Sequence, residues 1–309
     1  MRYKSLLVYK KQMARLFYFF GRIEILQSFL YFCYKIINSI INFKKTALYF
    51  GYCPVCAKRT LFLIGRYDRE ELRCIHCAGN SRQRLVGYII KLILCYLQKN
   101  LMDNMDVLKK TLENRDYIGK SLNSVAKNIT MKNYIIYEPD NRGPVHHSLK
   151  YYQNYVCSEY FPERELGKMF NNIRNEDLHN LSFSNNSLDM IITQDIFEHL
   201  PIPDRAFREI YRVLKSKGIH ILTVPLGKIS GRRKKTIKLI DENENILVFP
   251  VRYHQDIIDR SRSKVYTEWG YDLLDFLSGI GFFSFVVHFD NDLRNGIYGN
   301  NDIIISIKD

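Results

Sequence analysis

From Tyr134 to the C-terminus, short apolar runs alternate with segments of helical periodicity. Tyr134–Tyr137, Tyr155–Cys157, Leu188–Thr193 and Ile219–Val224 have the apolar continuity of strands buried on both faces. Between the last two, Pro203–Lys217 sets Ala206, Phe207, Ile210, Tyr211, Val213 and Leu214 at helical spacing, with Pro203 suited to the first turn and Gly218 to the stop. Tyr271–Ser278 reads as an amphipathic helix ended by Gly279 and Gly281, and Phe283–Phe289 and Ile303–Ile307 as two final strands. This alternation predicts an α/β fold: a mainly parallel sheet with helices on both faces.

Upstream the pattern changes three times. Residues 1–48 are helical in periodicity, basic and aromatic. Residues 49–84 hold paired cysteines. Residues 85–130 open with an apolar helix, Leu85–Leu97, and become polar and irregular. The expected organisation is therefore an N-terminal helical segment (1–48), a cysteine module (49–84), a helical linker (85–130) and an α/β domain (131–309). The stretch Ile25–Asn42 is apolar but interrupted by Gln27 and Lys35 and flanked by Arg22, Glu24, Lys44 and Lys45. A spanning helix needs about 20 predominantly apolar residues, so this stretch reads as amphipathic helices that pack on the domains or lie on a membrane surface.

Composition adds one point. The net charge of +14 favours anionic partners, nucleic acid or acidic lipid among them, although a chain this rich in Lys, Asn, Ile and Tyr also follows from AT-rich coding. No apolar run ends in a small-residue cleavage site. The expected setting is cytoplasmic, peripheral to a membrane if the N-terminal helices lie on one.

Four of the seven cysteines form two pairs, Cys53-Pro-Val-Cys56 and Cys74-Ile-His-Cys77, seventeen residues apart. Four thiolates at this spacing can surround one tetrahedral zinc ion. With all four positions filled and none open to water, a zinc here is structural. His76 reads as a bystander. Arg59–Ile64 and Glu70–Arg73 are expected to pair as the hairpin of a zinc-ribbon-like module. Arg66, Arg69, Arg73, Arg82 and Arg84 suggest a basic surface that grips phosphate or is simply solvated.

The most specific stretch runs from Asn175 to Pro225. It contains Asp177-Leu-His-Asn-Leu-Ser-Phe183, a polar turn, Leu188-Asp-Met-Ile-Ile-Thr-Gln-Asp195, Glu198-His199, then Arg212-Val-Leu-Lys215 ahead of Gly218, and a strand ending at Pro225. This order resembles class I S-adenosylmethionine-dependent methyltransferases of the type 11 kind. The resemblance covers roughly the last 175 residues and is densest over about 50. It implies a Rossmann-like sheet with S-adenosylmethionine at the carboxyl ends of the strands. It also implies a ribose-binding acid at Glu159, an adenine-reading acid at Asp177, and Gln194 and Asp195 facing cofactor or acceptor. Glu138 matches the acid before the family's glycine-rich loop. Here that loop is Glu138-Pro-Asp-Asn-Arg-Gly143-Pro, with Gly143 as its one glycine and Arg142 placed to meet the cofactor's carboxylate. His199 and His254 are the candidate bases.

Three functions fit these residues: methyl transfer to a glycan-linked or small-molecule hydroxyl, methyl transfer to RNA, or ligand binding by a degenerate methyltransferase fold.

Overall fold

The computed structural model describes residues 47–64, 72–98, 120–129, 133–229, 232–233, 235–255, 262–289, 291–299 and 301–309. The expected N-terminal helices, with Ile25–Asn42, lie outside them, as do Arg66, Arg69, Glu70 and much of the polar linker. Among the described residues no helix is long and apolar enough to cross a membrane. The chain groups into two compact units: residues 1–130, 142–152 and 289–301, and residues 131–141, 153–288 and 302–309.

In the first unit, β1 (Ala47–Cys53) and β2 (Lys58–Ile64) form an antiparallel hairpin closing at Cys53 and Lys58. The expected partner of β2 was Glu70–Arg73; β1, the strand that runs into the first cysteine pair, takes that place instead. The reason is local. Ala57 adopts φ 57° and its N–H donates to the Cys53 carbonyl at 2.9 Å, which turns the chain back on itself within the Cys-x-x-Cys loop. Helix α1 (Ser81–Leu97) starts on a capping box. The Asn80 side chain accepts from the Gln83 N–H at 2.8 Å, and the Gln83 side chain accepts from the Asn80 N–H at 3.1 Å. Gly87 faces Val55, where a Cβ would stand 2.6 Å from a valine methyl, so the helix can lie against the knuckle only with glycine there. Helices α2 (Leu122–Lys127) and α3 (Gly143–Leu149) complete this unit.

The second unit is built on a sheet of eight strands: β3 (Ile136–Glu138), β4 (Tyr155–Glu159), β5 (Met169–Phe170), β6 (Ile173–Asn175), β7 (Leu188–Gln194), β8 (Leu214–Thr223), β9 (Phe282–Phe289) and β10 (Asn301–Lys308). Their order is β9-β10-β8-β7-β3-β4-β6-β5. Strands β3, β4, β6, β7 and β8 run parallel, while β10 is antiparallel to β8 and β5 to β6. Successive strands step outward from β3 in both directions, so strand order reverses there. This is the α/β, mainly parallel sheet that the alternating pattern predicts, in the Rossmann-like form that the resemblance implies.

Helix α4 (Pro203–Val213) lays Ala206, Phe207, Ile210 and Val213 against the sheet, and the Phe207 ring stacks on Phe197 at 3.8 Å. It ends four residues before the expected Lys217. The N–H groups of Asn186 and Ser187 occupy the Arg212 and Val213 carbonyls at 3.0 and 2.8 Å. The chain then enters β8 directly, and Lys215–Gly218 form a bulge in the pairing with β7, with Lys217 at φ 63°. Helix α5 (Leu273–Ile280) ends at Gly281, φ 119°, where a Cβ would meet the Tyr211 hydroxyl at 2.7 Å.

Between β8 and α5 lies an insert. Ile237–Lys238 pairs with Thr267–Glu268, and Tyr253–Gln255 with Arg262–Lys264. The chain turns at Asp241–Asn245. Asp241 accepts the N–H groups of Asn243 and Asn245, each at 2.9 Å. Leu239, Ile240, Val265 and Tyr266 form a small core of the insert.

Candidate functional site

Three of the candidate residues are each the last residue of a parallel strand: Glu138 of β3, Glu159 of β4 and Gln194 of β7. The cause is the sheet itself. Buried apolar residues fill the middle of β3 and β7, and a polar residue closes the carboxyl end of all three strands. In open α/β sheets that edge, where strand order reverses, is where ligands sit.

Glu138 is buried, and both of its oxygens receive a donor. The Tyr155 hydroxyl donates to Oε2 at 2.7 Å and the Gln194 amide to Oε1 at 2.8 Å. Burial, with the charge of Asp140 adding to it, pushes its carboxyl up to about 8. Glu138 therefore joins three neighbouring strands through one acid, and near neutral pH it holds a proton that an exposed glutamate would release. Glu159 lies one strand over and is half-buried.

Asp177 follows β6. Its Oδ1 accepts both the His179 N–H and the His179 ring nitrogen Nδ1, each at 2.8 Å, so one oxygen is committed to its own turn. Asp195 has φ 52° and braces β7 to β8. Its N–H donates to the Thr223 carbonyl at 2.9 Å, and its carboxylate accepts the Thr223 hydroxyl at 3.0 Å. Arg142 and Gly143 belong to the first unit, where Arg142 precedes α3 and Gly143 opens it with φ 81°.

The loop between β6 and β7 is held by arginines. Arg212 reaches both oxygens of Glu209 at 2.7 and 2.8 Å and the carbonyls of Leu181 and Phe183 at 2.7 and 2.9 Å. Arg174 meets buried Glu176 at 2.6 Å. These forked contacts fix the segment Leu181–Ser187 more firmly than its polar sequence alone would.

The two candidate bases meet. His199 Nε2 is 3.2 Å from His254 Nδ1, and the rings cross edge to face at 4.9 Å. Buried Glu198 stands beside them, its Oε1 3.9 Å from His199 and 3.7 Å from His254. A third histidine, His220, is wholly enclosed at 2.8 Å from the Thr193 hydroxyl, and burial pulls it down to about 3. It stays neutral.

In the first unit the four paired cysteines converge. Sγ of Cys53 lies 3.6 Å from that of Cys77, and Cys56 3.8 Å from Cys74, with all four within 4.8 Å of one another. A tetrahedron with metal–sulfur bonds of about 2.3 Å has edges of about 3.8 Å, so the donor set fits zinc. His76 is not among the donors; its ring meets the Arg59 carbonyl at 3.2 Å.

Two cations are buried beside this cluster. Arg84, expected on a phosphate-gripping surface, is fully enclosed. Its guanidinium lies 4.4 Å over the Phe62 ring and donates to the carbonyls of Gly79 and Gly296. Lys91 donates to the carbonyls of Pro54 at 2.7 Å and Lys120 at 3.0 Å. Burial lowers both, Lys91 to about 8, and the nearby thiolates act in the opposite sense. A zinc tetrathiolate would carry a net charge of about −2, which two buried cations would balance. The sequence signal was Lys91 itself, alone in an apolar helix.

Comparison with known families matches residues 148–222 to the methyltransferase domain family. No curated protein matches the chain. Among solved structures, similarity is found to a Pyrococcus horikoshii protein at 15% identity, covering 60% of this chain and 86% of that one, with a TM-score of 0.37. A SAM-dependent methyltransferase of Methanosarcina mazei is 12% identical over 60% and 96%, with a TM-score of 0.35. An S-adenosylmethionine-dependent methyltransferase of Mesorhizobium loti is 11% identical over 60% and 96%, also with a TM-score of 0.35.

Proposed function

We propose that the second unit binds S-adenosylmethionine and transfers its methyl group to a hydroxyl acceptor. The observation that carries this reading is the placement of Glu138, Glu159 and Gln194 at the ends of three parallel strands around the strand-order reversal, within and beside the segment that matches methyltransferases. The donor chemistry fits. A half-buried carboxylate at Glu159 can accept two ribose hydroxyls. The buried Glu138 offers a proton-dependent charge to a cationic cofactor. When bound, the cofactor supplies a methyl group on a sulfonium; the protein's part is chiefly positioning. A hydroxyl acceptor must also lose a proton, and the cluster of Glu198, His199 and His254 gives the insert a polar end suited to that acceptor.

We further propose that the cysteine cluster holds one structural zinc. Incubation of the full chain with labelled cofactor and two acceptor pools, glycan precursors and ribosomal RNA fragments, tests the reading. Label in the glycan pool supports the hydroxyl acceptor. Label in RNA replaces it with the nucleic-acid acceptor that the positive charge favours. No transfer together with retained cofactor binding leaves a ligand-binding protein.

A further inference from the structure

The histidine pair beside Glu198 has a geometry that general-base work does not require. His199 Nδ1 lies 2.6 Å from the Lys264 carbonyl oxygen. A carbonyl only accepts, so Nδ1 carries the proton and Nε2 presents its lone pair. Metal-ligating histidines are commonly fixed in this way, the second ring nitrogen donating to a backbone carbonyl. The lone pair points toward His254 Nδ1 at 3.2 Å, and Glu198 Oε1 closes the triangle at 3.9 and 3.7 Å.

The size of this triangle decides what fits. Its centre is about 2.1 Å from all three donor atoms, within the metal–nitrogen and metal–oxygen distances of about 2.0–2.2 Å. Two imidazoles and one carboxylate are a donor set for zinc, cobalt, manganese or iron(II). They are poor for magnesium or calcium, which take oxygen. Three ligands also leave positions open, the pattern of catalytic sites as against the filled tetrathiolate.

Chain organisation favours the cluster. Glu198 and His199 are neighbours in a 3-10 turn after β7, anchored from beneath by the Phe197–Phe207 stack. His254 comes from the insert strand Tyr253–Gln255, whose partner Arg262–Lys264 supplies the carbonyl that orients His199. The insert thus provides both a ligand and the group that sets the other ligand's tautomer.

We propose that Glu198, His199 and His254 form a divalent transition-metal site, separate from the cysteine cluster, with coordination positions open to water or to an acceptor oxygen. The metal assignment stands apart from methyl transfer; only the role of the open positions rests on that reading. A metal there would lower the pKa of a bound hydroxyl, doing electrostatically what a base does by accepting the proton.

The test loads full-length protein with one equivalent of zinc, enough to fill the tetrathiolate alone, then titrates it with Co2+ and follows the visible spectrum. The expected result is one further metal per chain with d–d absorption and no thiolate charge-transfer band. His254→Ala, at a half-exposed position, should weaken this uptake at least tenfold, and His199→Ala should do the same, with zinc content unchanged. Three results would overturn the proposal: no uptake at millimolar Co2+, uptake only with thiolate charge transfer, or uptake undiminished in the His199→Ala/His254→Ala double variant. A metal titration that succeeds where cofactor binding fails separates this site from the methyl-transfer reading.

Discussion

The Tyr155 hydroxyl donates to Glu138 Oε2 at 2.7 Å and so ties the first residue of β4 to the last residue of β3. With Gln194 on the other oxygen, one buried acid at the carboxyl edge reports on three strands.

That acid should leave a signature in stability. Its folded value near 8 lies above the model-peptide 4.5. Between those values the folded chain keeps a proton that the unfolded chain has released, so stability contributed by Glu138 falls as pH rises from about 4.5 through about 8. Glu138→Gln should flatten that slope in denaturant unfolding measured from pH 5 to 9. An unchanged slope would assign the proton elsewhere.

His220 works in the opposite direction. Its folded value near 3 lies below the usual 6.5, so the unfolded chain binds a proton first and stability falls as pH drops from about 6.5 toward 3. His220→Gln should reduce acid sensitivity over that window, read as a smaller loss of Tm between pH 7 and 5. Equal losses in both proteins would contradict the burial argument.

The cysteine cluster predicts one zinc per chain. Cys56→Ser should abolish it, while Cys95→Ser, outside the cluster, should leave it intact. Elemental analysis decides between them. Binding of a structural zinc is folding free energy, so chelation should also expose the β1–β2 amides to hydrogen exchange.

Lys91→Met removes a donor from the carbonyls of buried Pro54 and exposed Lys120, and a positive charge from beside the thiolates. The buried Pro54 carbonyl left without a donor costs about 1–3 kcal/mol. The variant should melt earlier and release zinc at lower chelator concentration. Unaltered zinc retention would mean that the lysine serves packing alone.

Much of the second unit is legible in the chain because its central strands are buried and therefore read as largely apolar runs, Leu188–Thr193 among them. The end of α4 is not. Gly218 looks like a helix stop, yet it sits in a strand bulge, where a Cβ would meet the Lys215 carbonyl at 2.8 Å. The termination comes from amides of Asn186 and Ser187, a contact across more than twenty residues that periodicity cannot register. The pairing of β1 with β2 was hidden in the same way, because Ala57, an ordinary residue by type, takes the left-handed conformation that closes the hairpin.

At the site, the strand-end acids are found through the methyltransferase resemblance, and Glu138 also directly follows an apolar run, Tyr134–Tyr137. Tyr155, which opens β4 as an apolar residue, gives no sign of donating to Glu138. Arg84 looks like a surface charge among other arginines; its burial is decided by Phe62 and the carbonyls of Gly79 and Gly296. Glu198 is adjacent in sequence to His199, but its partnership with His254 depends on the fold of the insert.

The central claim is that S-adenosylmethionine binds at the carboxyl edge of β3 and β4. Isothermal titration of the full chain with S-adenosylmethionine, repeated on Glu159→Ala, tests it most directly. Saturable binding of one cofactor per chain is expected, weakened by ~1–3 kcal/mol when the ribose hydrogen bonds are lost. Absence of binding at millimolar cofactor, or affinity unchanged in the variant, would contradict it.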